Sequence, residues 1–324
     1  MSASLNGVDV FLDVNNYVMA SIGVTFNAIL ITIAARIKTK PLWPYRFLVI
    51  YQASIDMLVA VTVISLKPKL VGSEMELILT GFIIALPKPF VYCAHIFHAD
   101  LIMLWFLSVP LTFAYRYWII CRKSSIRKRQ AYIIMTSSTA TVMLLMAWNT
   151  YQNIAVEDYE ESKTAGGNFI VGIESRYSAA NLSKLVMFVT VNCLVYAVVI
   201  FCIYRINSVV SDAVRSAQLR ALHKQLTRAM VTQVMLTFLL TTVPITLVVV
   251  SFYGEWETLT FSTFYNASTP WLISIHPLVC LWFLKAFRNS VVETFKSTIN
   301  TLLSKFLPLK GQAQNRIFTA VTSK

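Results

Sequence analysis

Seven stretches of about 20 mostly apolar residues constrain this chain more than any other feature. That is the length at which an α-helix crosses a hydrocarbon core of roughly 30 Å. Lipid offers no partner to backbone N–H and C=O groups, so each stretch can cross only as a helix that satisfies them internally. The stretches run over about 14–36, 47–66, 91–120, 132–151, 184–206, 229–253 and 263–284. The expected fold is an all-α, seven-transmembrane helix bundle over 1–285, with a cytoplasmic helix and tail over 286–324. With 56% hydrophobic and 13% charged residues, the composition leaves no polar surface for a second, water-exposed domain. The chain shows no internal repeat, low-complexity tract or Pro/Gly-rich linker. Its first 13 residues lack a basic n-region and a small-residue cleavage site, so the first span is expected to act as its own anchor.

Charge orients the bundle. Twenty-two of the 28 Lys and Arg residues fall on one side, in the 36–46, 116–129 and 205–228 segments and from Lys285 onward. By the positive-inside rule that side is cytoplasmic, which puts the amino terminus outside. Eleven acidic residues lie on the outer side, in the amino terminus and the 74–76, 157–174 and 255–257 loops, against Asp212 and Glu293 inside. The net charge of +13 is therefore chiefly a cytoplasmic face turned to anionic lipid, and not a nucleic-acid surface. The polar stretch 155–168 reads as an outer loop without cysteine, so no loop-to-helix disulfide can be drawn to Cys93, the one cysteine placed near the outer surface. Two Asn-x-Ser sequons, at Asn181 and Asn266, fall on the outer side as candidate glycosylation sites.

Polar residues inside apolar helices carry more information. Asn27 sits in the first span ("TFNAIL") and Asp56 in the second ("ASIDML"). An intramembrane Asp is costly unless partners face it, and Asn27 and the backbone freed near Pro277 are the expected partners. Pro244 in the sixth span and Pro277 in the seventh each remove a helix hydrogen bond and permit a kink. Tyr115, Arg116 and Tyr117 stand where the third span meets the cytoplasm. On its own, Arg116 reads equally as a snorkelling arginine that marks the interface.

Four segments turn these features into a resemblance: "PLWPYRFLVIYQASID", "FAYRYWIICR", "HKQLTRAMVTQVMLTFLLTTVP" and "ISIHPLVCLWFLKAFRNSV". Together they resemble the nematode serpentine chemoreceptors of the Str-type superfamily, which includes the Srd, Srh, Sri and Srj groups. The resemblance implies a G protein-coupled receptor in a sensory neuron, at the plasma membrane of its sensory cilium. It implies a small-molecule chemical ligand, a heterotrimeric G protein contacting Tyr115, Arg116 and Tyr117, and Asn27, Asp56, Pro244, His276 and Pro277 as conformational residues. The sequence departs from the commoner rhodopsin-like pattern in three places. Tyr115 stands where an acid usually precedes the arginine, His276 where an asparagine precedes the proline, and Cys280 where a tyrosine follows it. An ionic lock between Arg116 and its predecessor is thus excluded, and His276 weighs against a sodium site around Asp56.

The outer half of the third span is the expected ligand region. His95 and His98 share one helix face, whereas Asp100 lies about 200° from His98, and His98 stands about 27 Å above Arg116. Asp100 could pair with a cationic ligand or with an internal polar group. Asn192, Thr269 and Trp271 could complete an apolar cavity. The histidine pair lacks a third ligand, so no metal is expected. No cofactor is expected either: a retinal needs a buried lysine, and the one lysine near the seventh span is Lys285 at its cytoplasmic end. Beyond it, apolar residues from Phe287 to Phe306 recur at three- and four-residue spacing, an amphipathic helix on anionic inner-leaflet lipid. A transporter would show repeat symmetry and glycine-broken helices, and only 9 glycines occur. An enzyme would need a catalytic cluster, and none is present. The competing reading is a seven-span ligand-gated ion channel subunit.

Overall fold

The computed structural model describes residues 2–36, 43–71, 76–121, 133, 136, 137, 139, 140, 143, 144, 163–165, 168–171, 179–213, 217–256 and 258–306. Helix α1 runs Ser2–Arg36, α2 Trp43–Leu66, α3 Lys88–Cys121, α4 Ala179–Ala213, α5 Ala217–Thr237, α6 Val243–Tyr253, α7 Leu259–Phe283 and α8 Lys285–Phe306. A π turn, Phe238–Thr242, joins α5 to α6, and together these three make the sixth expected span. Among the described residues, five helices are long and apolar enough to cross a membrane, and α7 with the start of α8 forms a sixth, bent by 91°. The fourth expected span, 132–151, lies almost wholly outside the described residues; Thr139 within it shares a 2.9 Å hydrogen bond with Tyr51 of α2.

Most helices outrun their expected limits. Helix α1 has 35 residues and is about 52 Å long, well over the hydrocarbon thickness. Its outer turns are clasped to the loop after α2: Asp13 pairs with Lys69 at 2.9 Å and Lys67 at 3.6 Å, and Asp9 with Lys69 at 3.3 Å. Lys67 ends α2 in the left-handed conformation, φ 45°, where glycine is the usual residue. Its ammonium lies 4.1 Å from the centre of the Tyr17 ring, which with Asp13 accounts for a lysine at that position.

The all-α expectation needs one addition. Strands β1 (Pro68–Val71), β2 (Glu76–Leu79), β3 (Lys163–Ala165) and β4 (Asn168–Val171) form an antiparallel sheet in the order β1-β2-β4-β3 across the outer mouth. Leu77–Leu79 ladder with Phe169–Val171, so backbone hydrogen bonds tie the second outer loop to the first, and no disulfide is drawn on: all five cysteines are free. Phe169 drops from the sheet into a buried cluster with Leu66, Leu79, Val91 and Tyr92. Below the sheet, Gly81 donates its N–H to Leu66 O at 2.9 Å, an approach so close that the chain has no room there for a Cβ.

Two prolines interrupt the hydrogen bonding of the sixth and seventh spans, and each deprives a carbonyl four residues earlier of its helical donor. For Pro244 that oxygen belongs to Leu240, and Ser268 of α7 donates to it at 2.6 Å. For Pro277 it belongs to Ile273, and Asn27 of α1 donates to it at 3.3 Å while also reaching Gly23 O. Gly23 lets α1 and α7 meet this closely: a Cβ there would stand 3.1 Å from Ile273 Cγ2. Asn27 is thus engaged by the proline-freed backbone and does not serve Asp56, contrary to the sequence-based expectation.

Candidate functional site

Two linked polar clusters lie on the axis of the bundle. The upper one centres on Asp56, which is 1% exposed. Its Oδ1 accepts hydrogen bonds from Trp105 Nε1 of α3 at 2.7 Å and from Gln52 Nε2 of α2 at 3.1 Å. Its Oδ2 lies 3.6 Å from Nδ1 of His276 on α7. The His276 ring stacks on Trp105, with centroids 5.6 Å apart and planes at 22°, and its Nε2 meets Thr237 Oγ1 of α5 at 3.3 Å. Gln233, one turn below Thr237, donates to His276 O at 3.2 Å and approaches Cys280 Sγ at 3.3 Å. Four helices therefore meet at one histidine, between the π turn of the sixth span and the proline of the seventh.

The lower cluster holds Arg116. Rather than snorkelling to the interface, this side chain is fully buried. Nη1 contacts Met230 Sδ at 3.1 Å, and Nη2 donates to Thr227 Oγ1 at 3.1 Å and to His223 O at 3.4 Å, all on α5. The guanidinium carbon stands 5.8 Å from the centre of the Tyr45 ring of α2, a cation–π distance. Its Nε finds no hydrogen-bond acceptor among the described residues. The arginine is thus held by neutral groups, whose contacts would be lost if α5 moved outward. Of its neighbours, Tyr115 is buried, and Tyr117 packs against Phe201 of α4 at 5.7 Å. Between the two clusters lies a cavity of about 60 Å³ lined by Tyr45, Gln52, Asp56, Thr112, Gln233 and His276 among others. It has room for a few water molecules and polar groups to hold them.

The outer residues singled out from sequence do not gather in one place. His98 is buried and bonds Thr62 of α2 at 2.8 Å, and His95 sits edge-on to Tyr92. Asp100 is half-buried, and its two-residue offset from His98 turns it to another part of the α3 surface. Asn192 and Thr269 each bond a carbonyl one turn back in their own helix, Phe188 O and Tyr265 O. Trp271 is 44% exposed and donates to Asn15 of α1 at 2.8 Å, so it belongs to the α1–α7 seam and not to a common cavity. Asn266 is corrected as a glycosylation site. It is buried on α7, where its amide bonds both Leu70 O and Leu70 N and so pins strand β1, leaving nothing for a glycan to reach. Asn181 falls in the first turn of α4, and its side chain lies outside the described residues, as do Arg122, Lys123, Arg127, Lys128 and Arg129.

Several residues of the site escaped sequence reasoning, yet left a signal. Trp105 is 11 residues before Arg116, three helical turns, and so shares its face. Thr227, Met230, Gln233 and Thr237 recur at three- and four-residue spacing and mark the inward stripe of α5.

The family model described as serpentine type 7TM GPCR chemoreceptor Srd matches residues 12–293. This chain belongs to that family. Among curated proteins it is similar to serpentine receptor class delta-3 of Caenorhabditis elegans, 23% identical over 314 residues that cover 90% of this chain and 89% of that one. Its fold matches the crystal structure of squid rhodopsin with a TM-score of 0.63, covering 89% of this chain and 85% of that one at 16% identity. The Srd family lies within the Str-type superfamily that the sequence resembles, and the chain is a multi-pass membrane protein with the seven-transmembrane receptor fold.

Proposed function

We propose that this receptor detects a small chemical ligand in the outer half of its bundle and activates a heterotrimeric G protein at its cytoplasmic face. The observation that carries the reading is the burial of Arg116 against α5. A cation held, among the described residues, by a thioether, a hydroxyl, a carbonyl and an aromatic ring, with no carboxylate against it, can be released as these neutral contacts part. Release turns its guanidinium to the cytoplasm, where it can donate to the carbonyl-rich carboxyl end of a Gα helix, flanked by Tyr115 and Tyr117. The hinge for that motion is the π turn 238–242 with Pro244, and His276 couples it to Asp56 and Pro277. A ligand opens the bundle only by its differential affinity for the open form. The sheet roof makes the outer loops part of the ligand's entry route, with His98 beneath them. The same reading places the receptor in the plasma membrane of a chemosensory cilium, with α8 lying on anionic inner-leaflet lipid.

The test is expression in cells with simultaneous recording of Gα activation and membrane current across a panel of volatile and water-soluble compounds. Loss of a Gα response in a surface-expressed Arg116→Ala variant is the expected result. A ligand-evoked current that persists with G proteins blocked and Arg116 removed would establish the channel reading instead.

A further inference from the structure

Six residues into α5, on the cytoplasmic side, His223 sits in a junction of unusual charge. The residue is 7% exposed, its Nδ1 lies 3.3 Å from the Tyr45 hydroxyl, and its ring meets the Tyr45 ring edge-on at 5.8 Å. The same Tyr45 ring carries Arg116 at 5.8 Å, and the backbone oxygen of His223 accepts from Arg116 Nη2. Histidine, tyrosine and arginine thus form one contact chain linking α5, α2 and α3, and it closes the bottom of the bundle.

We propose that His223 is a proton switch on the cytoplasmic face, neutral in the closed receptor and protonated in the open one, so that acidification of the cytoplasm favours the active conformation. On this proposal the neutral imidazole of the closed form takes the tautomer that accepts the Tyr45 O–H through Nδ1, with its own proton on Nε2. A proton added to Nδ1 reverses that bond and places a second cation beside Arg116 in a junction shielded from water, where like charges repel most strongly. The charged groups carried on the cytoplasmic parts of the packed elements, among the described side chains, are Arg46 of α2, Arg116 of α3, Arg205 of α4, Arg220, Lys224 and Arg228 of α5, and Lys285 and Arg288 at the start of α8. All are cations. Of the cytoplasmic carboxylates, Glu293 is exposed on α8, and the side chain of Asp212, in the last turn of α4, lies outside the described residues. Outward movement of α5 separates the imidazole from Arg116 and hydrates it. The open form therefore binds the proton better, and by linkage the proton favours the open form.

The inference rests on the coupling role proposed for Arg116, so its test reads conformation without a G protein. Spin labels on Ala35→Cys of α1 and Ala221→Cys of α5, with Cys93, Cys121 and Cys193 replaced by Ser, report the spacing of the cytoplasmic ends in full-length receptor in lipid nanodiscs. Between about pH 7.5 and about pH 6.0 the long-distance population is expected to rise about threefold or more. His223→Gln, which keeps an acceptor for Tyr45, is expected to give the short distance at both pH values, and His223→Lys the long distance at both. His95, His98, His276, Asp56 and Asp100 remain in each variant, so an acid response that survives in His223→Gln belongs to them and overturns the proposal. An unchanged distance in the wild type overturns it as well. A distance change through His223 without any Gα activation would defeat the coupling role while leaving the switch in place, and basal Gα activation without a pH-dependent distance would do the reverse.

Discussion

Asn27 of α1 donates its side-chain amide to the carbonyl of Ile273, the oxygen that Pro277 leaves without a helical partner. One side chain thereby satisfies the carbonyl that Pro277 frees in α7, in a medium that supplies few waters to do so. Replacing Asn27 with Ala or Leu is expected to orphan that buried oxygen. The cost is about 1–3 kcal/mol. Thermal unfolding of the purified receptor should show it, and Thr25→Ala, on the exposed face of the same helix, should leave the midpoint unchanged.

Arg116 offers the functional counterpart. Thr227→Val keeps volume and shape but removes the 3.1 Å hydroxyl acceptor from the guanidinium. A hydrogen bond to a charged group is worth about 1.5–3 kcal/mol, so closed-state occupancy should fall and basal nucleotide exchange on Gα rise by roughly tenfold or more. An unchanged basal rate in a normally surface-expressed Thr227→Val receptor would show that this contact does not hold the closed form.

His276 and Asp56 should behave as a pair. Removing one member of a contacting buried polar pair leaves the other without company and costs about 1–3 kcal/mol, whereas removing both costs less than the sum. Asp56→Asn and His276→Asn, alone and together, form the cycle, with unfolding temperature as the readout. Strict additivity would mean that the 3.6 Å separation carries no energetic coupling.

Gly81 tests the outer architecture. A Cβ built there lies 2.0 Å from the backbone oxygen of Ser65, which cannot yield without moving the end of α2. Gly81→Ala is expected to abolish surface expression, while Gly7→Ala, with nothing within 4 Å, is expected to express normally. Equal surface levels of the two variants would refute the packing argument.

Much of this molecule was legible from residue order alone, for reasons that differ by element. The spans were readable because hydrocarbon demands about 20 apolar residues, and orientation because basic residues stay on the cytoplasmic side. Asn27, Asp56, His276 and Pro277 stood out because a polar group or a proline inside such a span needs a partner. Which partner each takes was not readable. Asn27 was expected to serve Asp56 and instead serves Ile273 O, because helix rotation about its own axis is set by neighbours such as Gly23 and not by the span's own sequence. The same cause hands Trp271 to α1 and Asn266 to strand β1.

The sequence by itself determined how many apolar segments can cross, which end faces the cytoplasm, and which buried polar groups require company, since these follow from the solvent each residue must meet. Tertiary structure alone decided that Arg116 is held by Thr227, His223 and Met230, that Trp105 and His276 enclose Asp56, and that a sheet roofs the outer mouth. The side-chain pairings join residues from 49 to more than 100 positions apart, and strands β2 and β4 meet across more than 80. No local preference encodes them; they arise where packed helices bring unsatisfied groups within reach of one another in a medium that supplies no water instead.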